Sequence, residues 1–412
     1  MSNGKYVTRN KTPVIFILAL LATIDPFSID FYLPAFSTIA KDIHTTTNKI
    51  SLSMTSYFIG LAIGQIIYGP LVDRYGRKHP LYIGLALYII ASFACSQAES
   101  LQALVIFRFL QALVGSVAAV SALAMVRDFF PVAESARIFS TLMLIIGISP
   151  LAAPSLGGII TTILGWQWVF IALIIIVLIV IILVVFCLPK AAPPDKTVSL
   201  KPSPILKTFF QIFTNTQFIT YTLTGTFAFS TLFIYVAGAP VIFLDIYKIS
   251  PRNFGLIFSL LSCGFIASNQ LNIILLKNYT SQQIFKVALL CHLVITAVFL
   301  IGAICGWFGM WGIVVMFLLT LGCLGSINPN ASALALAPFE NNLGSASALM
   351  GFLQIGIAGT LSAFIGLVSI KNITPIPVLM LSTSLIAVTI FYIGGRKLRN
   401  LKMPDASTAL VS

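Results

Sequence analysis

The stretch "VFIALIIIVLIVIILVVFCL", residues 169–188, runs for twenty residues without a charge, an amide or a hydroxyl. As a helix rising ~1.5 Å per residue it covers ~30 Å, the thickness of a hydrocarbon core. Backbone polar groups in lipid must be satisfied within the segment, so the run reads as a membrane-spanning helix. Working outward, Pro189, Pro193, Pro194, Pro202 and Pro204 follow it, mixed with Lys190, Lys196, Lys201 and Lys207. Prolines interrupt a helix and lysines belong in water, so residues 189–212 read as a cytoplasmic linker.

Comparable apolar runs lie near 14–36, 51–70, 80–97, 101–126, 137–163, 217–244, 253–276, 285–306, 310–335, 343–370 and 375–395. The chain is 58% hydrophobic and only 8% charged, more apolar surface than a water-soluble fold can bury. The expected fold is therefore an all-α integral membrane protein: twelve transmembrane helices in two pseudo-symmetric six-helix bundles. Residues 1–188 form the first, 213–395 the second, and 396–412 a cytoplasmic tail. The first run follows basic residues, as a signal peptide would. It contains Asp25 and Asp30 and no small-residue cleavage site, so it reads as an uncleaved first helix.

A net charge of +13 could suggest nucleic acid, but the basic residues are distributed by topology. With the N-terminus in the cytoplasm, 18 of the 24 Lys and Arg face inward. Lys41, Lys49, Lys248, Arg252 and Lys371 face outward, and Arg108 lies within the fourth span. Both termini are then cytoplasmic, in a multi-pass protein of the inner (plasma) membrane. Trp166, Trp168, Trp307 and Trp311 all fall at the outer interface, where indoles prefer to lie. Six cysteines show neither metal nor redox spacing and read as small packing residues.

The two halves resemble one another. "SALAMVRDFFPVAESARIFSTLM" (121–143) aligns with "SALALAPFENNLGSASALMGFLQ" (332–354), and "GLAIGQ" (60–65) with "GFIASNQ" (264–270). Repeats of this kind place a substrate site near mid-membrane and work by rocking one half against the other.

After the second span comes "GPLVDRYGRKHPL", 69–81. Gly69 would let helices approach, Gly76 would allow a tight reversal, and Asp73 with Arg74, Arg77 and Lys78 would form surface ion pairs. The loop resembles, position for position, the signature loop of the major facilitator superfamily. "DFYLPAF" (30–36), "RFLQA" (108–112), "VRDFF" (126–130) and "SPLAAPSLGG" (149–158) further resemble its bicyclomycin-resistance (Bcr/CflA) group of drug and proton antiporters. In the second half "LLKNYTSQQIFK" lacks the charged signature. The resemblance implies gating by Gly69, Asp73, Arg74, Gly76, Arg77 and Asp128, with Asp73 capping the helix that begins near Leu343 and Arg77 paired to Asp128.

Ionisable groups inside a membrane are costly and point to function. Asp30 and Arg108 each lie six or seven residues from the outer ends of their spans, roughly 10 Å deep. They are expected to meet, Asp30 carrying the proton and Arg108 tuning it. A permanent ion pair tying the two helices is the structural alternative. Asp25, about 140° around the helix from Asp30, is a second acid or a cation ligand. His292, on the ninth span, reads as a packing or hydrogen-bonding residue.

Gly147, Pro150, Pro154, Gly157 and Gly158 would kink the fifth span and pack it closely, resembling the antiporter motif of drug exporters, with Ala153 where glycine is usual. Tyr32, Tyr57, Gln111, Phe229, Tyr235, Asn269, Asn328 and Gln354 are candidate substrate-lining groups, aromatic or neutral, suited to an apolar ligand. No catalytic constellation, metal set or soluble domain points to an enzyme. The expected function is proton-coupled efflux of small apolar compounds, by a monomer that needs no cofactor beyond the proton gradient. Export of a cell-made metabolite such as a siderophore or nucleoside is the alternative, and nutrient symport ranks third.

Overall fold

The computed structural model describes residues 11–130, 132–189, 202–339, 343–368 and 372–402. Among them the regular structure is helical. In chain order the helices are α1 (Lys11–Asp30), α2 (Phe36–Asp42), α3 (Thr47–Tyr75), α4 (Lys78–Ser96), α5 (Leu101–Gly115), α6 (Val117–Phe129), α7 (Val132–Ile163) and α8 (Gln167–Cys187). They continue as α9 (Pro202–Phe213), α10 (Thr216–Pro240), α11 (Pro251–Leu275), α12 (Ser281–Ile304), α13 (Met310–Leu336), α14 (Leu343–Leu367) and α15 (Pro375–Lys402). A 3₁₀ turn, Leu33–Ala35, joins α1 to α2, and a π-helical turn, Val241–Ile246, extends α10 past Pro240.

Local chemistry sets several boundaries. Ser100 caps α5 by accepting a hydrogen bond from the Ala103 amide. Thr280 and Gln283 form a reciprocal capping box at the start of α12. Gly76 separates α3 from α4 at φ 81° and ψ 162°, a conformation essentially confined to glycine. Gly60 and Gly64 bring α3 against the α5 backbone; Cβ atoms there would lie 2.4 Å from Phe109 O and 2.5 Å from Leu113 O.

Eleven helical segments among the described residues are long and apolar enough to cross a membrane. α7, 32 residues long, occupies the place of the expected fifth span. Large apolar side chains face outward along α8, where Phe186 is 81% exposed with Ile175 and Ile182 beside it. Water does not tolerate such a surface and lipid does; this is a multi-pass membrane protein.

By packing the chain divides into two compact units. The first takes residues 1–201 together with Tyr235–Cys263 and Gly359–Ile373; the second takes Pro202–Ile234, Gly264–Ala358 and Thr374–Ser412. The division therefore runs through α10, α11 and α14 rather than following the linker alone. Inside the first unit Asn48 donates to Val368 O (2.9 Å) and Thr55 Oγ1 lies 3.0 Å from Ser362 Oγ. Inside the second, Asn330 donates to Asn272 (2.6 Å) and Gln217 to Leu334 O (2.8 Å). His292 Nδ1 sits 3.0 Å from Ser384 Oγ, the hydrogen-bonding role expected of it.

Four expectations need correction. The second part of the linker is helical, because Pro202 and Pro204 stand in the first turn of α9, where a missing N–H costs nothing. Gly69 allows no close approach; a Cβ there would meet nothing within 4 Å. Trp168, Trp307 and Trp311 are exposed, but Trp166 is buried and its Nε1 donates to Asp42 at 2.7 Å. Cys187, Cys263, Cys291 and Cys305 are exposed rather than packing residues, and only Cys95 is fully buried.

Candidate functional site

The first unit encloses a guanidinium. Arg108 on α5 is 0% exposed, and no carboxylate among the described residues lies within ion-pair distance. A buried charge needs compensation, here from dipoles and aromatic faces. Nη1 donates to Gln111 Oε1 (2.6 Å) and Nη2 to Ser28 O (3.1 Å), with Met54 Sδ at 3.4 Å. The guanidinium lies over the rings of Tyr57 (4.1 Å) and Tyr32 (4.5 Å), with Phe170 at 5.9 Å.

The free carbonyl follows from the end of α1. In a continuing α-helix the Tyr32 amide would donate to Ser28 O. The chain tightens toward Pro34, the Tyr32 amide turns to Ile29 O (3.3 Å), and Ser28 O is released to Arg108. Gln111 is held in turn, its Nε2 donating to Ser92 Oγ on α4 at 2.7 Å.

Both α1 acids are buried and face different neighbours. Asp25 Oδ1 accepts from the Tyr57 hydroxyl (3.2 Å), so one tyrosine touches the carboxylate with its hydroxyl and Arg108 with its ring. Ser28, one turn along on the same face, shares a short hydrogen bond with the Tyr88 hydroxyl. Gly115 makes room for that tyrosine; a Cβ would stand 2.8 Å from Tyr88 Cδ2. Asp30 points elsewhere, its Oδ2 accepting from Ser149 on α7 (3.3 Å). The structure does not bring Asp30 and Arg108 together. The rotation that separates the two acids directs Asp25 to the arginine cage and Asp30 to α7.

α7 is pressed against backbone on two sides. A Cβ at Gly157 would lie 2.3 Å from Phe31 O, and one at Gly158 would lie 2.5 Å from Pro251 O. Gly255 on α11 answers it, its notional Cβ 2.5 Å from Pro154 O. Ser259 donates to Leu151 O and lies 3.2 Å from Ser155 Oγ. Pro150 is part of the same helix, and the surroundings of Gly147 fall outside the described residues.

At the loop between α3 and α4, Arg77 donates to Asp128 from Nε (2.8 Å) and Nη2 (3.3 Å), and from Nη1 to Asp73. Burial opposes its charge, yet the hydrogen bonds to Asp128 and Asp73 and their negative charges raise its pKa above the ordinary arginine value. The Asp73 side chain is 52% exposed and Asp128 only 12%, so the latter is the firmer partner. Arg77 is thus paired to Asp128 as the resemblance implied. The carboxylate of Asp73, expected at the start of α14, engages Arg77, four residues on.

The sequence pattern of the Major Facilitator Superfamily matches residues 18–363. The chain belongs to the Major Facilitator Superfamily. Among relatives of this major facilitator, an uncharacterized MFS-type transporter, YdgK, of Bacillus subtilis (strain 168) is 31% identical over 93% of this chain and 96% of its own. A bicyclomycin resistance protein homolog of Haemophilus influenzae is 25% identical over 96% and 99%. Multidrug resistance protein D of Escherichia coli (strain K12) is 24% identical over 85% and 89%. These names agree with the group that the N-terminal motifs resembled. A solved D-xylose-proton symporter shares the fold, with a TM-score of 0.73 at 15% identity over 92% of this chain and 97% of its own.

In this major facilitator the expected substrate groups separate. Tyr32, Tyr57 and Gln111 are buried around Arg108, and Tyr235 is stacked on Phe258 at 5.2 Å. In the second unit Asn328 accepts from Gln354 (2.6 Å) beside a narrow crevice, Asn269 donates to Phe265 O (3.3 Å), and Phe229 packs edge-on against Phe233. Among the described residues no three His, Cys, Asp or Glu gather as a metal set. Sequence reasoning missed Ser28, Tyr88, Ser92 and Met54 around the arginine, and Gly255 with Ser259 opposite α7. The last two were visible as a small-xxx-small pair in "GLIFS", 255–259.

Proposed function

We propose that this transporter is a proton-coupled exporter of drugs or other small, largely apolar compounds. It lies in the inner membrane with both termini in the cytoplasm and works by alternating access. The observation that carries the reading is the buried Arg108 guanidinium, with no carboxylate in ion-pair distance among the described residues, linked through Tyr57 to Asp25 on the helix that also bears Asp30. Protons are exchanged at these two carboxyls. When Asp25 is ionised it supplies the negative charge that Arg108 otherwise lacks; when it is protonated, the cage is held by dipoles and aromatic faces alone. Asp30 reports to α7 through Ser149, so a proton there changes a different helix contact. The close crossing on α7 limits leak and favours exchange over uniport.

The ligand class follows from the groups on offer, which are aromatic rings and the neutral amides of Asn269, Asn328 and Gln354. Relatives named for bicyclomycin and multidrug resistance support the same class. The test is transport in proteoliposomes with an imposed pH gradient and a mixed ligand library. Asp25→Asn and Asp30→Asn should each lose pH-driven efflux while ligand binding stays measurable. Efflux that stays fully pH-driven in both variants would refute the proposal.

A further inference from the structure

The second unit has a one-sided charge. Its described residues include Lys207, Lys277, Lys286, Arg396, Lys397, Arg399 and Lys402, and no Asp or Glu. At its basic end, where α10 and α12 begin and α13 and α15 finish, lies a cavity of about 480 Å³. Helical spacing builds its walls. Gln282 and Lys286 stand one turn apart on α12, Gln217 and Tyr221 one turn apart on α10, and Tyr392 and Gly395 one turn apart on α15.

These groups form an anion's donor set. Lys286 has no ion pair among the described residues, and Gln282, Tyr221 and Tyr392 have no hydrogen-bond partner among them. The Gln217 amide is already committed to Leu334 O. An ammonium, an amide and two hydroxyls suit the several acceptor oxygens of a phosphate, and among the described residues of this unit no carboxylate competes for them. Lys286 is exposed, but unlike the other basic residues of this unit it stands at the rim of a cavity whose walls carry further donors. Val287 and Ile393, beside it on α12 and α15, are exposed by 61% and 56% and face the hydrocarbon. A ligand with a phosphate head and apolar tails meets both environments at once.

We propose that this cavity binds a phosphate-bearing anion, presented to it as the headgroup of an anionic phospholipid. The experiment uses the full chain in mixed micelles, following the thermal unfolding midpoint and, by native mass spectrometry, the phospholipid retained. Phosphatidylglycerol should raise the midpoint and stay bound at a defined ratio, and phosphatidylcholine should do neither. Two variants address the site separately. Lys286→Gln removes the charge. Gly395→Leu fills the space, since a Cβ at that position meets nothing within 4 Å and leucine is the better helix former. Both should lose at least half of the phosphatidylglycerol shift while their midpoints without lipid stay close to wild type. Protection by inorganic phosphate alone would support the anion chemistry and replace the lipid by a soluble source. An undiminished shift in both variants, or an equal shift with phosphatidylcholine, would overturn the proposal.

Discussion

Replacing Gly255 by alanine adds one methyl group where α11 meets the backbone of α7. The new Cβ would stand 2.5 Å from Pro154 O and 2.8 Å from Ser155 Cα, both backbone atoms that cannot rotate aside. Carbon and carbonyl oxygen settle at about 3.3 Å, so the helices must part by roughly 0.8 Å. That displacement stretches the 3.2 Å Ser155–Ser259 contact to about 4.0 Å, beyond hydrogen bonding. Overpacking costs about 1–3 kcal/mol, and the lost hydrogen bond about 0.6 kcal/mol in a membrane. The greater helix propensity of alanine acts on both arrangements alike, because α11 is helical in each, and so cancels. The packed arrangement loses about 2.6 kcal/mol, roughly eighty-fold in its population against any state in which α7 and α11 separate. Maleimide labelling of Ser259→Cys, in a background free of the six native cysteines, reads that population with the serine hydrogen bond absent from both proteins, so the overpacking alone, about 1–3 kcal/mol, separates them. Gly255→Ala should raise the labelling rate at least ten-fold, and adding Gly158→Ala should raise it by less again, because both methyls force the same displacement. Unchanged labelling in Gly255→Ala would refute the reasoning.

Asp128→Asn should destabilise the purified protein by about 1–3 kcal/mol, read as a clearly lower thermal midpoint, because it breaks a two-pronged and mostly buried contact with Arg77. Asp73→Asn should cost under about 1 kcal/mol, since that side chain is half exposed; equal losses would mean the two acids share the arginine evenly. Gly76→Ala should cost about 1–3 kcal/mol at φ 81° and ψ 162°, and Gly76→Asn should do no better, because asparagine tolerates the left-handed helical region and not this one. Recovery of the midpoint by asparagine would show that the turn relaxes.

The spans were legible because each is a long apolar run bounded by charge, proline or glycine, and lipid leaves such a run one conformation. Arg77 with Asp128 was legible through the resemblance of the loop to the superfamily signature, and the structure pairs them. Contacts set by irregular backbone were not. Arg108 was expected at Asp30 on depth alone, whereas its partner carbonyl, Ser28 O, becomes free only because the Tyr32 amide turns to Ile29 O. Trp166 shows the same limit. It was expected at the outer interface like the other three, and nothing local to it shows that its indole is buried and donates to Asp42, 124 residues away.

The asymmetry of charge between the halves bears on where energy enters the cycle. In the first unit every intramembrane charge, Asp25, Asp30 and Arg108, is buried and none is paired to another, so protonation there changes interactions with Tyr57 and Ser149. The described residues of the second unit carry no acid, and its polar pairs, Asn272 with Asn330 and Asn328 with Gln354, are neutral. Neutral amides exchange partners without gaining or losing a proton, which leaves the His292 imidazole, hydrogen-bonded to Ser384, as the buried side chain of that unit, among the described residues, whose ordinary range of titration lies near neutrality. In the proton-coupled cycle proposed above, the α1 carboxyls therefore act first within the first unit, Asp25 on Tyr57 and Asp30 on α7 through Ser149.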